Sequence, residues 1–222
     1  MVLPNRHLAA AVAYALVGMT WLPASAQRAG APALMVAPST GIKLEVIDGS
    51  TATYRVREQL AGINFPSDAV GTANAVSGTL VIKADGSIDS AQSKLTVDLR
   101  TLRSDQNQRD RFIQGGQVLN TETFPLAEFV PKRAVGMPWP FPATQPPQAG
   151  FQLVGDMTIH GTTSEVTWNI IATFNGEQVA GHASTEFTFA KFGVPKPQLA
   201  RLLSVDDKVG LEMELKFKRT PM

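Results

Sequence analysis

The chain has 222 residues, with 20 lysines and arginines against 19 aspartates and glutamates, and it contains no cysteine. A net charge so close to zero gives no basic surface of the kind that nucleic acids require, so we expect no nucleic-acid partner. The lack of cysteine excludes a disulfide framework and a thiolate nucleophile. The fold must therefore be stabilised by its hydrophobic core.

Residues 1–26 have the pattern of a secretory signal peptide. A basic start at Arg6 precedes the apolar run LAAAVAYALVGMTWL, and Ala24-Ser25-Ala26 fits the small-x-small rule for cleavage after Ala26. The alternative is a membrane anchor, but the run is shorter than the about 20 apolar residues that a spanning helix needs. We therefore expect a periplasmic or secreted protein without stable membrane insertion and, lacking cysteine, without a lipid anchor.

Cleavage after Ala26 removes Arg6 and no acidic residue, which leaves nineteen basic and nineteen acidic residues. We expect residues 27–40 to form a flexible leader. Residues 41–219 have the length of one ordinary domain.

Most of this domain alternates apolar and polar residues with a period of two, which is typical of half-buried β-strands. The stretch KVGLEMELKFK places Val209, Leu211 and Met213 on one face and mostly charged residues on the other. The stretches SKLTVDL and FQLVGDMTIH show the same alternation. The sequence therefore predicts an all-β protein.

Three Asx-Gly pairs lie between apolar runs and predict tight hairpins: Asp48-Gly49, Asp85-Gly86 and Asn175-Gly176. The connections between runs are too short for parallel crossovers, so the sheet should be antiparallel. Closing the sheet would remove its exposed edges. We therefore predict a closed antiparallel β-barrel of about eight strands, whose interior is either packed solid or holds one slender ligand.

Two segments break the strand pattern. One predicts a short helix near residues 106–114, ended by Gly115-Gly116. The other, residues 136–150, carries five prolines and predicts a long surface loop with Trp139 and Phe141 exposed. This loop is either a tolerated insertion or a lid or partner contact built on its two aromatic residues.

His160 is the residue that most invites a catalytic interpretation. Asp156 lies on the same face of the strand, but a spacing of four residues separates the pair by about 13 Å, too far for a hydrogen bond. The domain has only one other histidine, His182, so a metal site is not expected, and neither is a cofactor. The interpretations left for His160 are a structural turn with Gly161, a ligand headgroup contact, and catalysis, with the turn favoured.

Arg109 and Asp110 form the second polar feature of interest. They could make a solvated surface pair, a packed bridge that pins the helix over the barrel mouth, or, through Arg109 or Arg111, a contact to a ligand pyrophosphate.

Several segments resemble the YceI-like family of exported bacterial proteins, in the order in which they occur there. They are Tyr54-Arg55-Val56, VSGTLVI, KLTVDLRTLRSD, FPLAEF, FTFAKFGV and the hairpin FQLVGDMTIHGTTSEVTW, which is similar to the family element G-D-L-T-I-H-G-V-T. The resemblance implies a lipocalin-like barrel that binds polyisoprenoid lipids.

On this basis the inward-facing residues become candidates for a ligand-binding lining rather than core alone. They are Tyr54, Val56, Leu80, Leu95, Val97, Phe112, Phe129, Phe151, Leu153, Met157, Trp168, Ile170, Phe187, Phe189, Leu211 and Met213. Arg109 and Arg111 are the candidate headgroup contacts.

Three functions remain open. The first is binding, sequestration or transport of an amphiphilic lipid, either isoprenoid or quinone-like, without enzymatic activity. The second is a cavity-based hydrolase or isomerase, which requires polar side chains such as His160 and His182 to converge inside the barrel. The third is an envelope stress or interaction module that acts through residues 136–150. The oligomeric state, including a homodimer, is left open.

Overall fold

The computed structural model describes residues 40–62, 64–141, 149–198 and 202–222. The predicted signal peptide, the predicted leader up to residue 39, and residues 142–148 of the proline-rich loop lie outside the described residues.

The described residues form strands, one α-helix and two short 3₁₀ turns. The strands are β1 Ile42–Val46, β2 Thr51–Leu60, β3 Ser67–Ala73, β4 Val76–Ile82, β5 Lys94–Asp98, β6 Arg103–Ser104, β7 Leu126–Val135, β8 Ala149–Ile159, β9 Thr162–Asn175, β10 Gln178–Thr188 and β11 Leu202–Pro221. The helix α1 is Asn107–Gln114, and the 3₁₀ turns are Leu99–Thr101 and Phe189–Phe192. The helix lies where the sequence predicts it and ends at Gly115. None of the helices in the described part of the chain is long and apolar enough to cross a membrane.

Eight strands close into an antiparallel barrel. Their order is β1-β4-β5-β7-β8-β9-β10-β11, and β11 pairs with β1 to complete the circle. The remaining strands continue this wall at one end, because β2 pairs with β11, β3 with β2, and β6 with β3. The predicted closed barrel of about eight strands is confirmed.

The predicted hairpin at Asp48-Gly49 is wrong. β1 and β2 do not pair with each other; they follow one another along the same partner, with Val46 opposite Phe217 and Thr51 opposite Glu214. Ser50 bridges the interruption, because its hydroxyl accepts from the backbone N–H of Lys216 at 3.0 Å and donates to the Ile47 carbonyl at 3.0 Å. A side chain thus replaces a backbone partner at the break in the ladder.

The other two Asx-Gly pairs do form hairpins. Asp85-Gly86 lies in the turn between β4 and β5, where the Lys83 N–H donates to the Ser87 carbonyl at 2.8 Å. Asn175 pairs directly with Gln178 across Gly176, which joins β9 to β10.

One end of the barrel is filled with aromatic and aliphatic side chains. Phe141 is 5 % exposed and packs on Phe174, with ring centroids 4.7 Å apart. Trp139 is half-buried, and its indole N–H donates to the Ala84 carbonyl at 2.9 Å. The prediction that Trp139 and Phe141 are exposed is therefore wrong, because both side chains fold back onto the barrel end.

Candidate ligand chamber

A chamber of about 880 Å³ occupies the other end of the barrel, beside α1. Its wall is formed by β2, β3, β5 and β7–β11, and by the 3₁₀ turn Phe189–Phe192. An eight-stranded barrel is narrow enough for side chains to fill it completely, so an empty volume of this size requires a reason. It falls in the upper part of the range of about 300–1,000 Å³ that is typical of small-molecule sites.

The chamber is lined by most of the residues that the sequence marks as candidates. Those that line it are Tyr54, Val56, Leu95, Val97, Phe112, Phe129, Met157, Trp168, Phe187, Phe189, Leu211 and Met213. Four candidates lie elsewhere: Leu80, Phe151, Leu153 and Ile170 surround a second pocket of about 60 Å³ toward the filled end. All of these side chains face inward, but they belong to different levels of the barrel.

Four side chains separate the two spaces. Leu95, Phe129, Trp168 and Met213 line both the chamber and the small pocket, so together they form the chamber floor. The rings of Phe129 and Trp168 meet edge to face with centroids 6.2 Å apart. The indole N–H of Trp168 is buried and has no hydrogen-bond partner among the described residues.

Helix α1 supplies part of the chamber wall and does not reach the small pocket beyond the floor. Its residues Phe112 and Ile113 contribute apolar surface, and Gln108 and Arg109 contribute polar groups. The preceding Gln106 also lines the chamber. This level of the chamber is therefore amphipathic, whereas the floor is apolar apart from one indole N–H.

Arg109 is held by two carboxylates, neither of which belongs to Asp110. Its guanidinium donates to Glu58 at 2.9 Å and to Asp105, which lies just before the helix. The Arg109 and Glu58 side chains are only 15 % and 11 % exposed. Burial alone lowers the pKa of Arg109, but the Coulombic attraction of Glu58 and Asp105 outweighs it and leaves the pKa above its usual range. The structure thus contains a packed bridge that fixes α1 to the barrel, but its acid is Glu58.

Asp110 has a different role. One of its carboxylate oxygens accepts from the Ser104 backbone N–H at 2.8 Å and from the Ser104 hydroxyl at 2.6 Å. The other oxygen is buried without a partner among the described residues. Asp110 therefore ties α1 to β6, and the predicted Arg109–Asp110 bridge does not form.

Tyr54 lies beside this charged cluster. Its ring packs against Gly71, its partner in β3, and Gly71 in turn pairs with Ser104 in β6. The hydroxyl is buried and has no partner in the described part of the chain. Burial raises the pKa of Tyr54 far above its ordinary value; Arg109 opposes the rise, whereas Asp110, Glu58 and Asp105 add to it.

The predicted headgroup role of Arg111 has no geometric basis. Its side chain is exposed and does not line the chamber. Positions 109 and 111 lie about 200° apart around a helix of 3.6 residues per turn, so they face opposite sides.

Neither histidine of the domain lines the chamber. His160 and Gly161 have φ angles of 50° and 73° and form the two-residue turn between β8 and β9. Two consecutive positive φ angles define the hairpin turn that matches strand twist. The His160 ring packs edge-on against Phe124, with centroids 4.9 Å apart.

His182 lies on the outside of the barrel. Its Nδ1 is 2.6 Å from the Glu214 carboxylate, and both side chains are exposed. The polar cluster that a cavity-based enzyme requires around these histidines is therefore not assembled. Among the residues described, no group of three or more histidine, aspartate or glutamate side chains is placed to hold a metal ion.

Glu58 is the functional candidate that the sequence prediction missed. In TATYRVREQL the apolar face of β2 carries Ala52, Tyr54, Val56 and Leu60, and Glu58 is on that same face. An acidic residue in phase with an apolar stripe is the signal that would have identified this inward-facing charge.

The fold and the chamber together define a class: a closed antiparallel barrel with an apolar, helix-flanked chamber at one end. A family model described as the YceI-like domain matches residues 46–217. The chain belongs to the YceI-like family.

Sequence relatives agree with this assignment. A UPF0312 protein of Pseudomonas putida strain W619 is 34 % identical over 117 residues, which are 47 % of this chain and 54 % of that protein. A UPF0312 protein of strain GB-1 matches to the same extent. The chain spans about half the length of the curated relatives it matches.

Solved structures share the fold. A polyisoprenoid-binding domain from Saccharophagus degradans, implicated in plant cell wall breakdown, aligns with a TM-score of 0.60 and 12 % identity, covering 82 % of this chain and 99 % of that one. Burkholderia cenocepacia BcnA gives a TM-score of 0.54 at 17 % identity, covering 75 % and 95 %. The Campylobacter jejuni YCEI protein gives 0.52 at 13 % identity, covering 71 % and 88 %.

Proposed function

We propose that this protein binds an amphiphilic lipid, with the apolar tail inside the barrel and the polar head beside α1. The observation that carries the proposal is the chamber of about 880 Å³ in a barrel that could have been filled by its own side chains. The lipid is a polyisoprenoid or quinone-like molecule, and the similar domain from Saccharophagus degradans is described as polyisoprenoid-binding.

The distribution of side chains gives the ligand an orientation. The floor is made of Leu95, Phe129, Trp168 and Met213, so it suits the end of a hydrocarbon chain. Arg109, the amides of Gln106 and Gln108, and Glu58 are gathered at α1. The other two charged residues of the lining, Glu128 and Glu212, pair with Lys94 and Arg55, whose side chains are exposed. Affinity then comes from removing apolar area from water, about 25 cal/mol per Å², less the cost of ordering the tail.

We propose that the ligand enters beside the β2–β3 connection. Leu60, Ala61 and Leu202 line the chamber there. The nearby Phe65 and Leu203 are 78 % and 66 % exposed, so an apolar path continues onto the outer surface.

Binding is proposed over the two alternatives for specific reasons. The enzyme alternative needs catalytic groups in the chamber, and both histidines lie outside it. The interaction alternative needs Trp139 and Phe141 on the surface, and they pack onto the barrel end.

We also propose that the protein is exported and that residues 1–26 are removed. The support is the basic, apolar and small-residue pattern that ends at Ala26. An intact mass of protein taken from the cell envelope tests this, because cleavage predicts a chain that begins at Gln27.

The central test is native mass spectrometry of protein purified from its own envelope fraction, followed by lipid extraction. We expect a copurified lipid on the wild type and on Thr167→Phe, which adds a ring to the exposed face of β9. Ala69→Phe, which adds the same ring inside the chamber, should lose it while keeping the β-sheet circular dichroism of the wild type. A wild-type protein that carries no lipid and takes up none when refolded with prenols contradicts the proposal.

A further inference from the structure

The charges around the chamber bear on the headgroup of the lipid, and this inference rests on the proposed function. Among the residues that line the chamber and are described, Arg109 is the one basic side chain. A phosphate or pyrophosphate headgroup would need that guanidinium, because arginine forks are suited to phosphate oxygens.

Arg109 is already committed to carboxylates. One terminal nitrogen donates to Glu58 and the other to Asp105. A single positive charge therefore faces two negative charges, and the buried carboxylate of Asp110 follows Arg109 directly in the helix. The polar level of the chamber carries an excess of negative charge.

The charged cluster lies beside the chamber wall, because the hydroxyl of Tyr54, a lining residue, lies in the fields of Arg109, Asp110, Glu58 and Asp105. A dianionic headgroup at this level would have to displace Glu58 or Asp105 from the guanidinium and lie next to the displaced carboxylate. Juxtaposition of like charges at an interface is unfavourable and is a common means of excluding wrong partners.

The same level offers an unused hydrogen-bond donor. The Tyr54 O–H is buried and unpartnered among the described residues, and burial raises its pKa, so it stays protonated. A buried hydroxyl gains when an acceptor reaches it, because an unsatisfied donor forfeits its hydrogen bond to water.

We infer that the chamber selects lipids whose headgroup is uncharged and carries an oxygen acceptor, such as a prenol or a quinone, and rejects the corresponding phosphates. Tyr54 donates to the headgroup oxygen, and Glu58 and Asp105 neutralise Arg109 and repel anions. In this arrangement Arg109 positions α1 through Glu58 and does not bind a phosphate.

Ligands with one tail and different heads separate the contributions. Geranylgeraniol, geranylgeranyl diphosphate and the oxygen-free hydrocarbon phytane share a branched isoprenoid skeleton. We expect the full-length protein, stripped of lipid, to bind the alcohol about tenfold or more tightly than the diphosphate. Tyr54→Phe should weaken alcohol binding about three- to tenfold and leave phytane binding unchanged.

Removing the acidic charges should weaken the preference of the chamber for the alcohol over the diphosphate. Glu58→Gln retains an oxygen that can accept from Arg109 and should bring the diphosphate within about threefold of the alcohol. Asp105→Asn changes a side chain that is 71 % exposed, so it carries little risk for folding. This substitution should reduce the ratio of alcohol to diphosphate affinity by about two- to fivefold.

The outcomes are distinct. If the wild type binds the diphosphate as tightly as the alcohol, or more tightly, the inference about the headgroup is wrong and the lipid-binding proposal stands. If the folded wild type binds none of the three ligands, the proposed function itself fails and the inference fails with it. If Asp105→Asn and Glu58→Gln both leave the preference unchanged, the acidic pair is not its cause.

Discussion

The ring of Tyr54 lies directly against Gly71, its cross-strand partner, so that a Cβ at position 71 would overlap the ring. Gly71 is in extended backbone and not in a turn. Its role is therefore to leave space. That space lets the Tyr54 ring lie along the chamber wall beside the charged groups of α1, where a larger neighbour would push the ring into the chamber.

Gly71→Ala should therefore destabilise the protein and displace Tyr54. We expect a loss of about 1–3 kcal/mol in the free energy of unfolding, as is usual when a packed site is overfilled. Gly150→Ala is the matched control, because nothing lies within 4 Å of its Cβ position. There the substitution should be neutral or add up to about 1 kcal/mol by restricting the unfolded chain. Urea unfolding measures both, and equal losses in the two variants would contradict this account.

The hydroxyl of Tyr54 should resist ionisation in the folded protein. The ordinary pKa of tyrosine is 10.0, and burial raises that of Tyr54. A raised folded-state pKa gives a stabilisation that is fully present below pH 10 and is lost as the pH rises toward the folded-state pKa. Above pH 10 the loss should amount to about 1.4 kcal/mol per pH unit from this group.

The measurement compares the free energy of unfolding of the wild type with that of Tyr54→Phe as a function of pH. Because the variant lacks only the hydroxyl, it shows the pH dependence that all other groups contribute. The difference spectrum should show no tyrosinate absorbance from position 54 until the protein unfolds. Between pH 10 and pH 11 the free energy of unfolding of the wild type should fall relative to that of Tyr54→Phe. A normal tyrosine titration in the folded state would mean that the hydroxyl is solvated.

The stability of the junction between β1 and β2 should depend on the hydroxyl of Ser50. Ser50→Ala leaves the part-buried N–H of Lys216 without its acceptor, and an unsatisfied group away from water costs about 1–3 kcal/mol. Ser77→Ala on exposed β4 surface should change stability by less than about 0.5 kcal/mol. Amide hydrogen exchange at Lys216 should accelerate in the first variant only. Unchanged protection at Lys216 would show that another group satisfies its N–H.

Periodicity and turn residues were sufficient to predict the strands, the hairpins at Gly86 and Gly176, and the closed barrel, because each depends on residues close in sequence. The Asp48-Gly49 pair carries the same local signal and yet does not reverse the chain. The difference is that β11 has 20 residues, enough to pair with β1 and then with β2. Choice of a strand partner across the whole chain is not encoded in a dipeptide.

In the candidate site, too, features that depend on residues close in sequence were predictable, and features that depend on distant contacts were not. Alternation correctly separated inward from outward residues, and it would also have identified Glu58 on the apolar face of β2. It could not tell that Leu80 and Ile170 lie below the chamber floor while Val56 lies above it, because position along the barrel axis depends on strand stagger. The partner of Arg109 was equally inaccessible, since Glu58 is 51 residues away in sequence.

The filled end of the barrel should depend on Phe141. Its side chain is buried against Phe174, so Phe141→Ala should cost about 3–5 kcal/mol in the free energy of unfolding. Phe65→Ala is the control, because Phe65 is 78 % exposed, and it should stay within about 0.5 kcal/mol of the wild type. Denaturant titration compares the two. Similar small effects in both variants would mean that Phe141 contributes no more than a surface residue.

Tryptophan fluorescence should locate the ligand within the barrel. Trp168 forms part of the chamber floor, whereas Trp139 lies at the filled end with its N–H bound to Ala84. A prenol that fills the chamber should change the emission of the wild type and of Trp139→Phe. The change should be lost in Trp168→Phe, which keeps an aromatic ring in the floor and should still bind the ligand when binding is measured by mass spectrometry. If Trp139 reports the ligand and Trp168 does not, the tail occupies the opposite end, and the large volume beside α1 has another purpose.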